Sequence, residues 1–95
     1  MEIKSSSNTI TITGNIKSVS NFSQIKSLVD SIITQNKSVT IKIVDSLSMT
    51  SSVIGYFNKL ILKDKIDITM LIGNEQLMNL LTDLNLASTF NVRKL

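Results

Sequence analysis

Apolar residues recur along this chain with two periods that take turns. The run TITIT at 9–13 sets Ile10 and Ile12 against three threonines, the two-residue period of a half-buried strand, and Gly14 and Asn15 end it. Ile3 begins a short strand ahead of it, separated by the polar turn SSSN. Phe22, Ile25, Val29, Ile32 and Ile33 then follow helical spacing, with Ser20 placed as the N-cap and the polar stretch 35–37 as the stop. Val39, Ile41 and Ile43 alternate with Thr40 and Lys42, which predicts a second strand of the half-buried kind. A second helix is predicted over 52–64, with Val53, Phe57, Leu60 and Ile61 on its apolar stripe. Ile66, Ile68, Met70 and Ile72 then alternate with Asp67, Thr69 and Leu71 up to Gly73. The third helix, over about 74–84, carries Leu77, Leu80, Leu81 and Leu84 at i, i+3, i+4 and i+7, and all four are assigned to the core. The closing FNVRKL reads as a last short strand.

Strands that alternate with helices imply right-handed βαβ crossovers and an α/β domain. A sheet covered on both faces would have continuously apolar strands, whereas these alternate. The expectation is a sheet of about four to five strands with helices packed mainly on one face. The other face, rich in Thr9, Thr11, Thr13, Thr40, Lys42, Asp67 and Thr69, is left open.

At 95 residues the chain is one domain without linker or repeat, able to bury roughly 60–70% of the surface its unfolded form exposes. Apolar residues make up 42% and aromatic ones only 4%, so the composition builds a core of Ile, Leu and Val and offers no stacking platform. No stretch approaches the roughly 20 consecutive apolar residues of a membrane helix, and no apolar leader opens the sequence, so direct membrane insertion is not expected and a cytoplasmic location is. The net charge is +3, but the lysines are scattered and no aromatics interleave with them, so nucleic acid is not an expected partner. Lys59 and Lys63 have a local reason, since helix C-termini favour cations.

Candidate chemistry is thin. With no His and no Cys, the commonest general base and the usual soft metal ligands are missing, and three dispersed glycines assemble no phosphate-cradling loop. Asp45, at a strand end, has no carboxylate partner nearby in sequence and reads as a turn former or a helix-facing charge rather than a catalytic acid. No catalytic residue, metal or cofactor is expected. What remains is the strand-to-helix corner SLSMTSS, where Ser51 and Ser52 are set to be exposed and to cap the following helix. A negative charge placed there would face the partial positive charge of the helix N-terminus, the geometry of a phosphorylation switch and equally of an ordinary cap.

The element order and this corner together resemble the STAS domain of bacterial anti-sigma factor antagonists over nearly the whole chain. The residues that carry the likeness are Gly14-Asn15-Ile16-Lys17 after the second strand, the strand at 39–45, the corner Met49-Thr50-Ser51-Ser52-Val53-Ile54-Gly55, and Leu84-Asn85-Leu86-Ala87-Ser88-Thr89-Phe90. In that family the corner reads aspartate-serine-serine-glycine-leucine-glycine. Thr50 stands where the family has its aspartate and can still cap the helix, Val53 stands where it has its first glycine, and Gly55 stands at its later glycine.

The resemblance implies a mixed sheet and a non-enzymatic regulator that works by partner switching. Ser52 takes the position of the family's phosphoacceptor, with Ser51 as second choice. The implied partners are an anti-sigma-type serine kinase and a PP2C-type phosphatase, and the chain is expected as a monomer or weak dimer. The partner surface is expected at Ser48, Met49, Thr50, Ser51, Ser52, Val53 and Tyr56. Three other roles stay open: an accessory subunit of an ABC transporter of the lipid-trafficking type, a scaffold subunit of a signalling complex, and a corner whose serines only cap the helix.

Overall fold

The computed structural model describes all residues, Met1–Leu95. Five strands and three helices follow in the order β1 (Glu2–Ser6), β2 (Thr9–Thr13), α1 (Val19–Ile33), β3 (Ser38–Ile43), α2 (Ser51–Leu62), β4 (Asp67–Ile72), α3 (Glu75–Asp83) and β5 (Val92–Lys94). β1 and β2 form an antiparallel hairpin; every later neighbour is parallel, and the spatial order β1-β2-β3-β4-β5 repeats the chain order. That monotonic order decides where the helices go. Right-handed crossovers that all step in one direction leave their helices on the same face of the sheet.

On that face the register sets Ile10, Ile41 and Met70 side by side, and Ile12, Ile43 and Ile72 in the next row. Over them lie Ile25, Val29 and Ile32 of α1, Val53, Phe57 and Leu60 of α2, and Leu77 and Leu81 of α3, forming one continuous core. Phe90 belongs to this core although it precedes β5, its ring meeting Phe57 edge-on at a centroid distance of 6.2 Å. The last strand is therefore shorter than FNVRKL suggests.

The opposite face is uncovered. Thr9, Thr11, Thr40 and Thr69 are half-buried there, and Thr13 and Asp67 are exposed. Lysines that look scattered in sequence are ordered by the register, which lines up Lys4, Thr11, Lys42, Leu71 and Arg93 in one row across all five strands. All four aromatic rings lie on the helical side.

Two helix details differ from the periodic reading. α1 is capped by Ser18, not Ser20: the Ser18 hydroxyl accepts the Asn21 N–H at 3.0 Å, and Asn21 Oδ1 accepts the Ser18 and Lys17 N–H groups at 3.2 and 2.9 Å. This reciprocal box starts the helix earlier and leaves Val19 in its first turn 82% exposed. In α3 only Leu77 and Leu81 are buried, Leu80 is half-buried, and Leu84 is 48% exposed. At about 100° per residue the 80/84 row lies roughly 60° around from the 77/81 row. That flank is only partly covered: Leu80 looks onto an open groove beside the β3–α2 loop.

Candidate functional site

The C-terminal ends of β2, β3 and β4 lie along one edge of the sheet, where the N-termini of α1, α2 and α3 also gather. Edges of this kind carry the sites of open α/β sheets. Here two crossover loops are tied together. Asp45 Oδ1 accepts the Gly14 N–H at 2.7 Å, and Asn15 Oδ1 accepts the Leu47 N–H at 2.9 Å. Between them the Ser46 hydroxyl accepts the Ile16 N–H at 3.0 Å and donates to the Ser48 carbonyl at 2.7 Å. Ser46 is the one polar residue buried in the chain, and both its hydroxyl functions are used. Gly14 sits at φ +88, and a Cβ there would press on the Met1 backbone at 3.2 Å. Asp45 is thus the turn residue that holds this junction.

The anchored loop delivers Thr50 as the N-cap of α2, in extended backbone (φ −71, ψ 156), with its hydroxyl accepting the Val53 N–H at 3.3 Å. Ser51 and Ser52 are the first two helical residues rather than caps, so the expectation that they cap the helix is corrected: Thr50 does it. Both serines are exposed, and neither side chain makes a hydrogen bond within the chain. The first turns of α1 and α2 contain no acidic residue. Ser52 borders an open hollow of about 310 Å³, shared with Lys17, Ser18, Val19, Phe22 and Thr50. Two helix N-termini and one lysine therefore surround this hydroxyl with positive potential.

The expected partner residues separate by depth. Ser48, Ser51 and Ser52 are exposed and Thr50 is half-buried, whereas Met49, Val53 and Tyr56 are buried, with 6%, 0% and 6% of their surface accessible. These last three hold the corner from beneath and do not form its outer surface. Tyr56 donates its hydroxyl to Asp30 Oδ1 at 2.5 Å, Asp30 pairs with Lys26 at 2.7 Å, and the Lys26 ammonium lies 5.6 Å from the Tyr56 ring centre. Burial alone would raise the Asp30 carboxyl, but hydrogen bonds from Lys26 and Tyr56 and the charges of Lys26 and Lys59 outweigh it and hold its pKa below the ordinary value. Burial first, then the bond to Asp30 and its charge, drives the Tyr56 phenol far above its usual range, so it remains a donor.

Other residues complete the surface and were not legible as site residues. Val19, 82% exposed, lines the hollow beside Ser52 with apolar surface, and Leu47, 45% exposed, lies beside Ser48 on the side facing α3. Gly55 follows Ser52 at i+3, on the same exposed side of α2, and a Cβ there would meet nothing within 4 Å. The signal available in sequence was an apolar residue off the helical stripe and a glycine inside a helix. No three acidic side chains converge to hold a metal ion, and no helix is long and apolar enough to cross a membrane. Compared with family models, with curated proteins and with solved structures, the chain has no match.

Proposed function

We propose that this chain is a non-enzymatic docking module of the STAS type that works by partner switching at the start of α2. One observation carries the reading: the Ser52 hydroxyl is exposed and idle, because Thr50 caps the helix, yet it stands among exposed apolar side chains and positive helix ends. Gly55 supports it. A glycine within a helix costs about 0.5–1 kcal/mol relative to alanine, no neighbour requires one here, and its absence of a side chain leaves a flat approach one turn from Ser52.

In this reading an anti-sigma-type serine kinase docks on Ser48, Thr50, Ser51, Ser52, Val19 and Leu47 and transfers phosphate to Ser52. The added charge, about −1.5 to −2, suits the helix terminus and Lys17, so the domain stays folded. Within the docked interface the same charge must lose its water, and the complex weakens. A loss of about 3 kcal/mol lowers affinity roughly a hundredfold, enough to exchange partners. A PP2C-type phosphatase resets the state. Such a cycle belongs in the cytoplasm, where ATP is available.

The test is mass spectrometry of the chain from its native cells, with and without the candidate kinase, joined to binding measurements on variants. Phosphate is expected on Ser52, Ser52→Ala keeps binding, and Ser52→Asp binds at least about tenfold more weakly. If neither Ser52 nor Ser51 ever carries phosphate and Ser52→Asp binds like the parent, switching fails and the transporter-accessory role takes its place.

A further inference from the structure

Two features lie at opposite ends of α2, the second of them sharing Leu47 and Ser48 with the surface proposed for the kinase. At its C-terminal end Leu62 is 62% exposed, off the stripe of Val53, Tyr56, Phe57 and Leu60 that faces the core. Lys59 and Lys63 stand at i−3 and i+1 from it, with Lys65 just beyond and Asp64 as the only acid. None of these lysines is in an ion pair. The result is an apolar knob in a basic frame.

At the other end lies its complement. A groove of about 660 Å³ runs between the β3–α2 loop and α3, with Leu47 and Leu80 among its lining residues. Its only charged lining residues are Glu75 and Asp83, and no lysine or arginine reaches it. Leu84, 48% exposed, extends the apolar flank of α3 by one turn. A mainly polar, acidic groove with two leucines, on a chain of net charge +3, is a local exception, and the chain itself carries an apolar group framed by the opposite charge.

We infer that copies of this chain associate head to tail, the Leu62 knob of one copy entering the Leu47–Leu80 groove of the next. Lys59 and Lys63 then face Glu75 and Asp83, the charge complementarity that sets register and suppresses the knob-to-knob and groove-to-groove alternatives. The two surfaces lie about 18 Å apart, the length of α2, and at opposite edges of the sheet. A two-fold axis would have to seat both contacts at once in one interface and would stop growth at a dimer, the outcome that the mass measurement separates from head-to-tail growth. A contact between different patches repeats along an open chain or closes as a ring. Its small size places it among weak interfaces, with a Kd on the order of 0.1–1 mM. The inference needs neither kinase nor phosphate, so its failure leaves the switch reading untouched.

Analytical ultracentrifugation of the whole chain from about 10 μM to about 1 mM tests it across that range of Kd. The average mass should climb past that of a dimer, and less steeply at high salt, which screens the lysine–carboxylate contacts. Leu62→Asp removes the knob and Leu47→Lys blocks the groove; both side chains are exposed, so circular dichroism should show intact folds. Each variant alone should be monomeric, with its Kd raised at least about tenfold. Mixed in equal amounts they should form dimers and nothing larger, because each variant keeps one working end. A parent chain that is monomeric throughout, growth that stops at a dimer, self-association of Leu62→Asp alone, or a mixture that stays monomeric overturns the head-to-tail contact.

Discussion

Replacing Ser46 by alanine tests whether the two crossover loops are held by one buried hydroxyl. The substitution deletes a donor to the Ser48 carbonyl at 2.7 Å and an acceptor for the Ile16 N–H at 3.0 Å. Ser46 and Ile16 are both fully buried, so no water replaces the lost oxygen without opening the junction. Leaving the Ile16 N–H unpaired costs about 1–3 kcal/mol, and the lost bond to Ser48 adds about 1 kcal/mol. The sum, about 2–4 kcal/mol, is a large part of the 5–15 kcal/mol that holds a typical domain together. Urea unfolding should show a lower midpoint at unchanged slope, and melting should fall by about 8–32 °C at the usual 4–8 °C per kcal/mol for a domain of this size. Hydrogen exchange should accelerate at the Ile16 and Leu47 amides before it does in β3 or β4. Ser48→Ala is the control, because only the Ser48 backbone is bonded, and it should change stability by less than about 0.5 kcal/mol. If Ser46→Ala matches that control, the hydroxyl is not what ties the loops together.

Thermal melts of two corner variants should differ in the order the cap dictates: Thr50→Ala loses about 0.5–2 kcal/mol, while Ser52→Ala stays within about 0.5 kcal/mol of the parent. Equal losses would return the capping role to Ser52. Along α3, Leu81→Ala should cost about 2–5 kcal/mol in denaturant unfolding and Leu84→Ala far less, since Leu81 is fully buried and Leu84 is 48% exposed; a reversed order would contradict the packing of that helix. Because Asp30 is held below its ordinary value of 3.8 in the folded chain, the stability it contributes is complete above that pH and is lost as the pH falls through the lower folded value. Asp30→Asn should therefore be less stable at neutral pH and lose less of its stability below about pH 4, and a parallel acid limb for both proteins in pH-dependent urea titrations would refute this coupling.

Alternation and helical spacing are local properties, and they were enough to predict every strand and helix, because side-chain direction along one element depends only on its own period. The crossover logic went further. Given strands that alternate, one covered face was the only arrangement that kept Ile10, Ile41 and Met70 away from water while leaving Thr9, Thr40 and Thr69 beside it. The hydroxyl-rich corner was also visible, since serine and threonine before an apolar-periodic run mark a helix start.

Only the tertiary structure decided which residue performs each task there. Ser18 rather than Ser20, and Thr50 rather than Ser51 or Ser52, cap their helices, because capping depends on backbone angles that neighbouring packing imposes. Tyr56 lies beneath the corner, held by Asp30 some 26 residues earlier in the chain. The row from Lys4 to Arg93 exists only through strand register, which joins residues far apart in sequence. Leu80 and Leu84 keep the helical spacing of a core stripe but lie on a flank of α3 that packs only in part: Leu80 lines the open groove beside the β3–α2 loop, and Leu84 is 48% exposed. Spacing tells which residues share a face; whether that face is buried depends on what else the chain brings to it.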